Sequence, residues 1–147
     1  MLFLPAVLDT PSPERAHRYA ILAELADAGD TKAIAALLLA ELPPGVRRSR
    51  DAAVWADEQA ARLCTPALRR ALRELPLVTP VADRSVLAGV RTRCLVVGQA
   101  HDAVHDQAVA SEVAAALPGA QVEVFAEGAA VWTARRRLRA LLGGFLG

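Results

Sequence analysis

The chain has 147 residues, of which 54% are hydrophobic and 22% charged, and its formal net charge at pH 7 is +1. These values fit one globular domain and exclude a disordered, charge-rich chain, which buries too little apolar surface to fold. The near-zero charge gives no reason to expect a nucleic-acid or membrane partner. With two cysteines and no basic leader before the apolar run 1–8, we expect no disulfide framework and a cytoplasmic location.

The first half of the chain predicts one strand followed by helices. The apolar run 1–8 is bounded by the turn-rich segment 9–13, a pattern typical of a buried strand in a parallel sheet. Pro76 and Pro80 later predict extended chain, followed by one helical turn over about 83–88. Capping residues, prolines and apolar spacing predict four helices, from Pro13 to Gly29, from Asp30 to Leu42, over about 50–64, and from Thr65 onward.

The second half of the chain alternates between strand and helix patterns. Short apolar or alternating runs predict the strands, and apolar residues at helical spacing predict the helices. In chain order they are a strand over 93–98, a helix over about 106–117, a strand over 121–125 and a helix over about 131–145. This order predicts a parallel α/β sheet.

The strongest candidates for catalytic residues follow the predicted strand that ends at Gly98. Asp102, His101 and His105 lie in the loop before the next helix, and functional groups of open α/β sheets gather at such carboxyl ends of strands. The two histidines are candidates for a base. The structural alternative is that His105 or Asp106 caps the helix.

The other candidate residues point less specifically to a function. The two imidazoles and two carboxylates of this loop are possible ligands of a divalent cation, but they lack the helical spacing of common zinc motifs, so we expect no metal and no cofactor. Cys94 is predicted to be inert in a buried strand, and Cys64 has no identifiable partner. We interpret the arginines as solvated faces of amphipathic helices, at 69, 70 and 73 and at 135–137 and 139.

The order of these features resembles the C-terminal part of an α/β-hydrolase. Asp102-Ala-Val-His-Asp106 is similar to the D-P-V-x-P turn after that superfamily's seventh strand, with both prolines replaced. Segment 13–75 resembles the helical cap that precedes this turn, and 1–8 resembles the sixth strand. The resemblance covers essentially the whole chain. It implies a partial α/β-hydrolase fold of about three parallel strands. We expect a single domain over 1–147, with a strand at 1–8, a helical cap at 13–75 and a C-terminal lobe at 90–147.

Two catalytic elements of the superfamily are missing from this sequence. Its nucleophile lies in a G-x-S-x-G elbow, and none of the four serines here has that context. Its histidine follows the last strand, where this chain has Ala129 and Ala130. Since alanine neither accepts nor returns a proton, the resemblance leaves only Asp102, in the position of the acid.

Two functions from different classes remain. In the first, the chain belongs to a serine-type hydrolase of esters, amides or lactones, inactive alone because the nucleophile, oxyanion donors and histidine must come from elsewhere. In the second, it is noncatalytic and binds a small apolar molecule or a protein partner through the helical segment and the exposed sheet edge. Three parallel strands leave an unpaired edge, so we expect a homo-oligomer or a partner chain that supplies the missing strands. A truncated homologue without activity is equally compatible.

Overall fold

The computed structural model describes residues 1–102 and 104–147. The chain divides into two compact units, one formed by Met1–Thr10 with Pro80–Gly147 and the other by Pro11–Thr79. The first unit contains the sheet and the second is helical. That both belong to one domain stays a prediction. No helix in the described part of the chain has the length and apolar character needed to cross a membrane.

A parallel three-stranded sheet in the order β1-β2-β3 is the framework of the first unit. The strands are β1 Leu2–Phe3, β2 Leu95–Gln99 and β3 Gln121–Phe125. Leu2 is paired with Val96, and Val96 with Val122. The predicted α/β class with about three parallel strands is therefore confirmed, with β2 at the centre.

The first strand is much shorter than the predicted 1–8. Leu4 donates its backbone N–H to Val97 O at 2.8 Å, but its φ is 50°, a conformation that a bulky residue rarely adopts. Pro5 follows and has no N–H to donate. The ladder therefore stops after Phe3. Leu8, although buried, packs in the hydrophobic cluster beside the sheet rather than in a strand.

Helices cover both faces of β2, whose five residues are all buried. Helix α6, Gln107–Ala116, packs Ala110 and Val113 on the side of Val96. The opposite face packs against two C-terminal helices, α7 Ala130–Thr133 and α8 Arg135–Leu146. The sequence predicted one closing helix over 131–145, but the backbone departs from helical geometry at Ala134 and divides it.

The helices of the second unit begin where their capping residues predict. Ser12 Oγ accepts from Arg15 N at 3.2 Å, and Asp30 Oδ1 accepts from Ala33 N at 2.9 Å. A largely aliphatic core forms between the helices, centred on the fully buried Ile34. In chain order the helices are α1 Pro13–Asp27, α2 Thr31–Ala40, α3 Pro44–Arg47, α4 Arg50–Leu63 and α5 Pro66–Glu74.

Two short elements differ from the prediction. No helix was predicted between Leu42 and residue 50, yet Pro44 begins the short α3, because proline is compatible with the first helical position. Pro76 lies in a 3₁₀ turn, Leu75–Leu77, rather than in extended chain. The buried Arg15 holds this turn by donating from Nη2 to Leu75 O at 2.9 Å.

Gly98 permits the close approach of α6 to the sheet. A Cβ atom at this position would lie 2.8 Å from the Cβ of the buried Ala110. We expect Gly98→Ala to lower the free energy of unfolding by about 1–3 kcal/mol, the usual cost of overpacking a core. Urea unfolding measures this loss.

The matched control is the double variant Gly98→Ala with Ala110→Gly. Removing the opposing methyl should recover part of the loss, although glycine within a helix costs about 1 kcal/mol. Additive effects of the two substitutions would contradict the contact.

A carboxylate after β1 anchors the first unit electrostatically. Asp9 accepts from Arg84 Nε at 2.8 Å and from Nη2 at 2.7 Å, and Arg84 also pairs with Glu112 of α6 at 3.1 Å. The side-chain hydrogen bond from Arg84 lowers the pKa of Asp9 to about 2.

Because the folded pKa of Asp9 is depressed, its stabilising effect is complete above the ordinary pKa of an aspartate. It is lost as the pH falls through about 2. We expect Asp9→Asn to lower Tm at pH 7 and the difference from the wild type to shrink toward pH 2. Asp57→Asn, at an exposed position of α4, is the control. A pH-independent difference would contradict the electrostatic origin.

Candidate functional site

The loop between β2 and α6 holds Asp102 just beyond the carboxyl end of the central strand. Its Oδ1 accepts from the backbone N–H groups of Val104 at 2.8 Å and His105 at 2.9 Å. Its Oδ2 accepts from Gln99 Nε2 and lies 3.0 Å from His105 Nδ1. Both carboxylate oxygens are therefore fully engaged with donors from the loop and the strand.

The hydrogen bonds keep Asp102 ionised despite its burial. Its side chain is only 13% exposed, and this burial raises the pKa of the carboxyl. The hydrogen bonds from the His105 side chain and backbone, from Val104 N and from Gln99 outweigh it, so the pKa of Asp102 lies well below its usual range. Asp102 is a carboxylate at neutral pH.

The two candidate histidines are placed differently. His105 lies against Asp102 and its side chain is 33% exposed. His101 is exposed, has a φ of 56°, and lines an open depression of about 440 Å³ with Asp102, Asp106 and Gln107. The structure thus brings His105, rather than His101, onto the carboxylate. Asp106 caps α6 by accepting from Ala108 N at 2.8 Å, as the structural alternative had it.

Gln99 is a site residue that the sequence analysis missed. Its side chain is buried at the end of β2, and its Oε1 accepts from Ala130 N at 2.8 Å. Because a backbone N–H only donates, this contact fixes the orientation of the amide and directs Nε2 to Asp102. The available signal was a glutamine that ends an otherwise apolar strand.

The turn after β3 packs directly on the Asp102 loop. A Cβ at Gly128 would lie 3.1 Å from His101 O and 3.3 Å from Ala100 O, so the two backbones are nearly in contact. Ala129 has a φ of 56°, and Ala130 is bound to Gln99. Of the two positions at which the resemblance implies a histidine, Ala130 is thus linked to Asp102 through Gln99, and neither position carries a base.

The remaining candidates do not join this site. Cys94 precedes β2 instead of lying within it, and it is only partly buried, with Sγ 3.4 Å from Thr92 O. Cys64 immediately follows α4, and the third histidine of the chain, His17, is exposed on α1. Within residues 1–102 and 104–147, no group of three or more histidine, cysteine or acidic side chains is arranged to hold a metal ion.

We expect Gln99→Met to lower the free energy of unfolding by about 1–3 kcal/mol, because the buried Ala130 N–H loses its acceptor. The same variant should raise the pKa of Asp102, since the carboxylate loses one donor. Urea unfolding and carboxyl-carbon NMR titration measure the two effects. Gln121→Met, at an exposed position of β3, is the control, and equal effects of both substitutions would contradict the bridging role.

Comparison with known proteins identifies the fold but no family. No protein-family model and no curated protein matches the chain. Among solved structures, that of Rv0554 from Mycobacterium tuberculosis is similar, with a TM-score of 0.66 and 22% sequence identity. The match covers 99% of this chain and 54% of that one, so this chain spans about half the length of its structural neighbour. At this identity the likeness shows a shared fold, which is the partial α/β architecture described above.

Proposed function

We propose that the chain is the C-terminal part of an α/β-hydrolase-like protein, in which Asp102 is the acid of a serine-type hydrolase of esters, amides or lactones. The observation that supports this most is the position of Asp102. It is an ionised, hydrogen-bonded carboxylate just past the central strand of a parallel sheet, the end at which α/β proteins place functional groups. It also lies beside the turn that would carry the imidazole.

In this proposal Asp102 orients an imidazole and does not itself transfer a proton. In a Ser-His-Asp arrangement the carboxylate holds the imidazole in one tautomer and stabilises the imidazolium that forms when the nucleophile loses its proton. A low pKa and fixed oxygens suit that role, because the carboxylate remains charged throughout the cycle. The nucleophile and the oxyanion donors would come from elsewhere.

The outer edge of β1 is the place where further strands would pair. In the described part of the chain β1 bonds only to β2, and Leu2 is 43% exposed there. In this proposal, strands that carry the nucleophile elbow continue the parallel sheet at this edge. An unpaired edge of a parallel sheet is otherwise unfavourable in water.

The isolated chain is expected not to hydrolyse p-nitrophenyl esters above an Asp102→Ala control, because it has no nucleophile elbow. Robust turnover that disappears in Asp102→Ala would contradict this inactivity. It would instead indicate that the isolated chain activates water through His101 or His105, without an added nucleophile. Absorbance assays of the released nitrophenolate, on purified wild-type and variant protein, decide between these outcomes.

The hydrolase proposal is tested by complementation. The chain should co-purify with a polypeptide that carries a G-x-S-x-G elbow, encoded by a neighbouring reading frame, and the complex should hydrolyse esters. Asp102→Ala in this complex should lower kcat by roughly 10⁴-fold, the size of the loss when a triad aspartate is replaced. Asp57→Ala is the matched control. Equal activity of the wild-type and Asp102→Ala complexes would overturn the proposal.

Exposed apolar residues at both sheet edges favour the second candidate, a noncatalytic binding module. Besides Leu2 at β1, Val122 and Val124 of β3 are 49% and 37% exposed, on the face that α6 only partly covers. Such surface in a small sheet favours association with a second copy or a partner chain.

We expect light scattering at micromolar concentration to show a dimer or a larger species. Leu2→Lys at β1 and Val124→Lys at β3 should each weaken association if that strand forms the contact, since a charge at a strand edge opposes pairing. Val54→Lys, at an exposed position of α4, is the control. A monomer that unfolds cooperatively would contradict association through the edges.

A further inference from the structure

The contact between Asp102 and His105 determines which nitrogen of the imidazole carries the proton. An ionised carboxylate has no hydrogen to give, so at 3.0 Å from Oδ2 the Nδ1 atom must be the donor. In a neutral imidazole the proton on Nδ1 leaves Nε2 with a free lone pair. His105 is therefore held in the tautomer in which Nε2 accepts.

The same loop also fixes the position of the ring. His105 uses both its backbone N–H and its Nδ1 to bind one carboxylate, and Gln99 and Val104 hold that carboxylate from other directions. The neighbouring Asp106 is engaged as the cap of α6. The side chain of His105 is one-third exposed, so part of the ring is open to solvent.

We propose that His105 is the imidazole that Asp102 orients, and that its Nε2 is a proton acceptor for the nucleophile hydroxyl that a complementing polypeptide supplies. As a base for ester hydrolysis this rests on the proposed function, since it makes His105 the replacement for the histidine missing at Ala129 and Ala130. The Asp102–His105 pair itself is a property of this loop and does not depend on that function.

The reaction step balances without a cofactor. Nε2 takes the hydroxyl proton while the hydroxyl oxygen forms a bond to the carbonyl carbon of an ester. When the bond from that carbon to the leaving oxygen breaks, the leaving oxygen keeps the electron pair and receives the proton from Nε2. Asp102 stays ionised and stabilises the imidazolium in between.

The tautomer is tested by ¹⁵N NMR of the imidazole rings at about pH 8, where histidines are generally neutral. In the wild type His105 should carry its proton on Nδ1. In Asp102→Asn the amide NH₂ replaces Oδ2 and donates, so the proton of His105 should move to Nε2. His17, exposed on α1, should be unaffected in both. A His105 tautomer that is the same in the wild type and in Asp102→Asn would overturn the proposal.

Proton-accepting capacity is tested separately by acylation with diethyl pyrocarbonate, followed residue by residue by mass spectrometry. We expect Asp102→Asn to slow acylation of His105 by about tenfold, the factor that corresponds to losing one charge-assisted hydrogen bond, while His17 reacts at an unchanged rate. Equal rates at His105 in the two proteins would show that Asp102 does not determine which nitrogen of His105 accepts, and would contradict the proposal.

His105→Asn separates the structural from the chemical role. Its side-chain amide can still donate to Asp102, but it has no proton-accepting nitrogen. We expect unchanged stability in urea, and in the complemented hydrolase a loss of kcat of roughly 10²-fold or more. Full activity would overturn the role of His105 as the base. Because the NMR and acylation measurements need no hydrolase activity, failure of the proposed function is distinguishable from failure of this inference.

Discussion

The burial of β2 on both faces is the constraint on which the first unit depends. A parallel strand must be covered on each side, and here α6 covers one face while α7 and α8 cover the other. Such coverage requires a close approach, which Gly98 allows by presenting no side chain to Ala110. The same burial includes the next residue, Gln99, whose side-chain amide therefore needs hydrogen-bond partners within the protein.

The polar cluster at the end of β2 follows from that requirement. Gln99 is satisfied by one donor and one acceptor, Ala130 N–H and the Asp102 carboxylate. The carboxylate in turn is satisfied by the turn that leads into α6, including both donors of His105. Each of these polar groups has a partner of the opposite kind, so a charged group is tolerated with little exposure. The ionised carboxylate of Asp102 is thus held in place by hydrogen bonds that follow from the packing of β2.

Local sequence patterns predicted most of the helices and strands. The features that the sequence did not predict depend on backbone conformation or on contacts between distant residues. The runs around β2 and β3 and the caps Ser12 and Asp30 were identified because strand alternation and capping are local. The early end of β1 depends on the positive φ of Leu4, which an apolar run does not reveal. Asp102 was a candidate because it follows a strand. Its hydrogen bond from Gln99 was not predictable, because the orientation of Gln99 depends on Ala130, which lies 31 residues from Gln99 in the chain.

The side chain of Gln99 is hydrogen-bonded to two separate segments, and this restricts the local motions of the first unit. One side chain joins the loop before α6 to the start of α7, so neither segment can open locally without exposing a buried amide. The backbone hydrogens of Val104, His105 and Ala130 should therefore exchange with solvent as one cooperative group, although they belong to loops that are distant in the chain. A molecule that settles on either loop would slow exchange in the other, which makes the end of β2 a point of thermodynamic coupling between them.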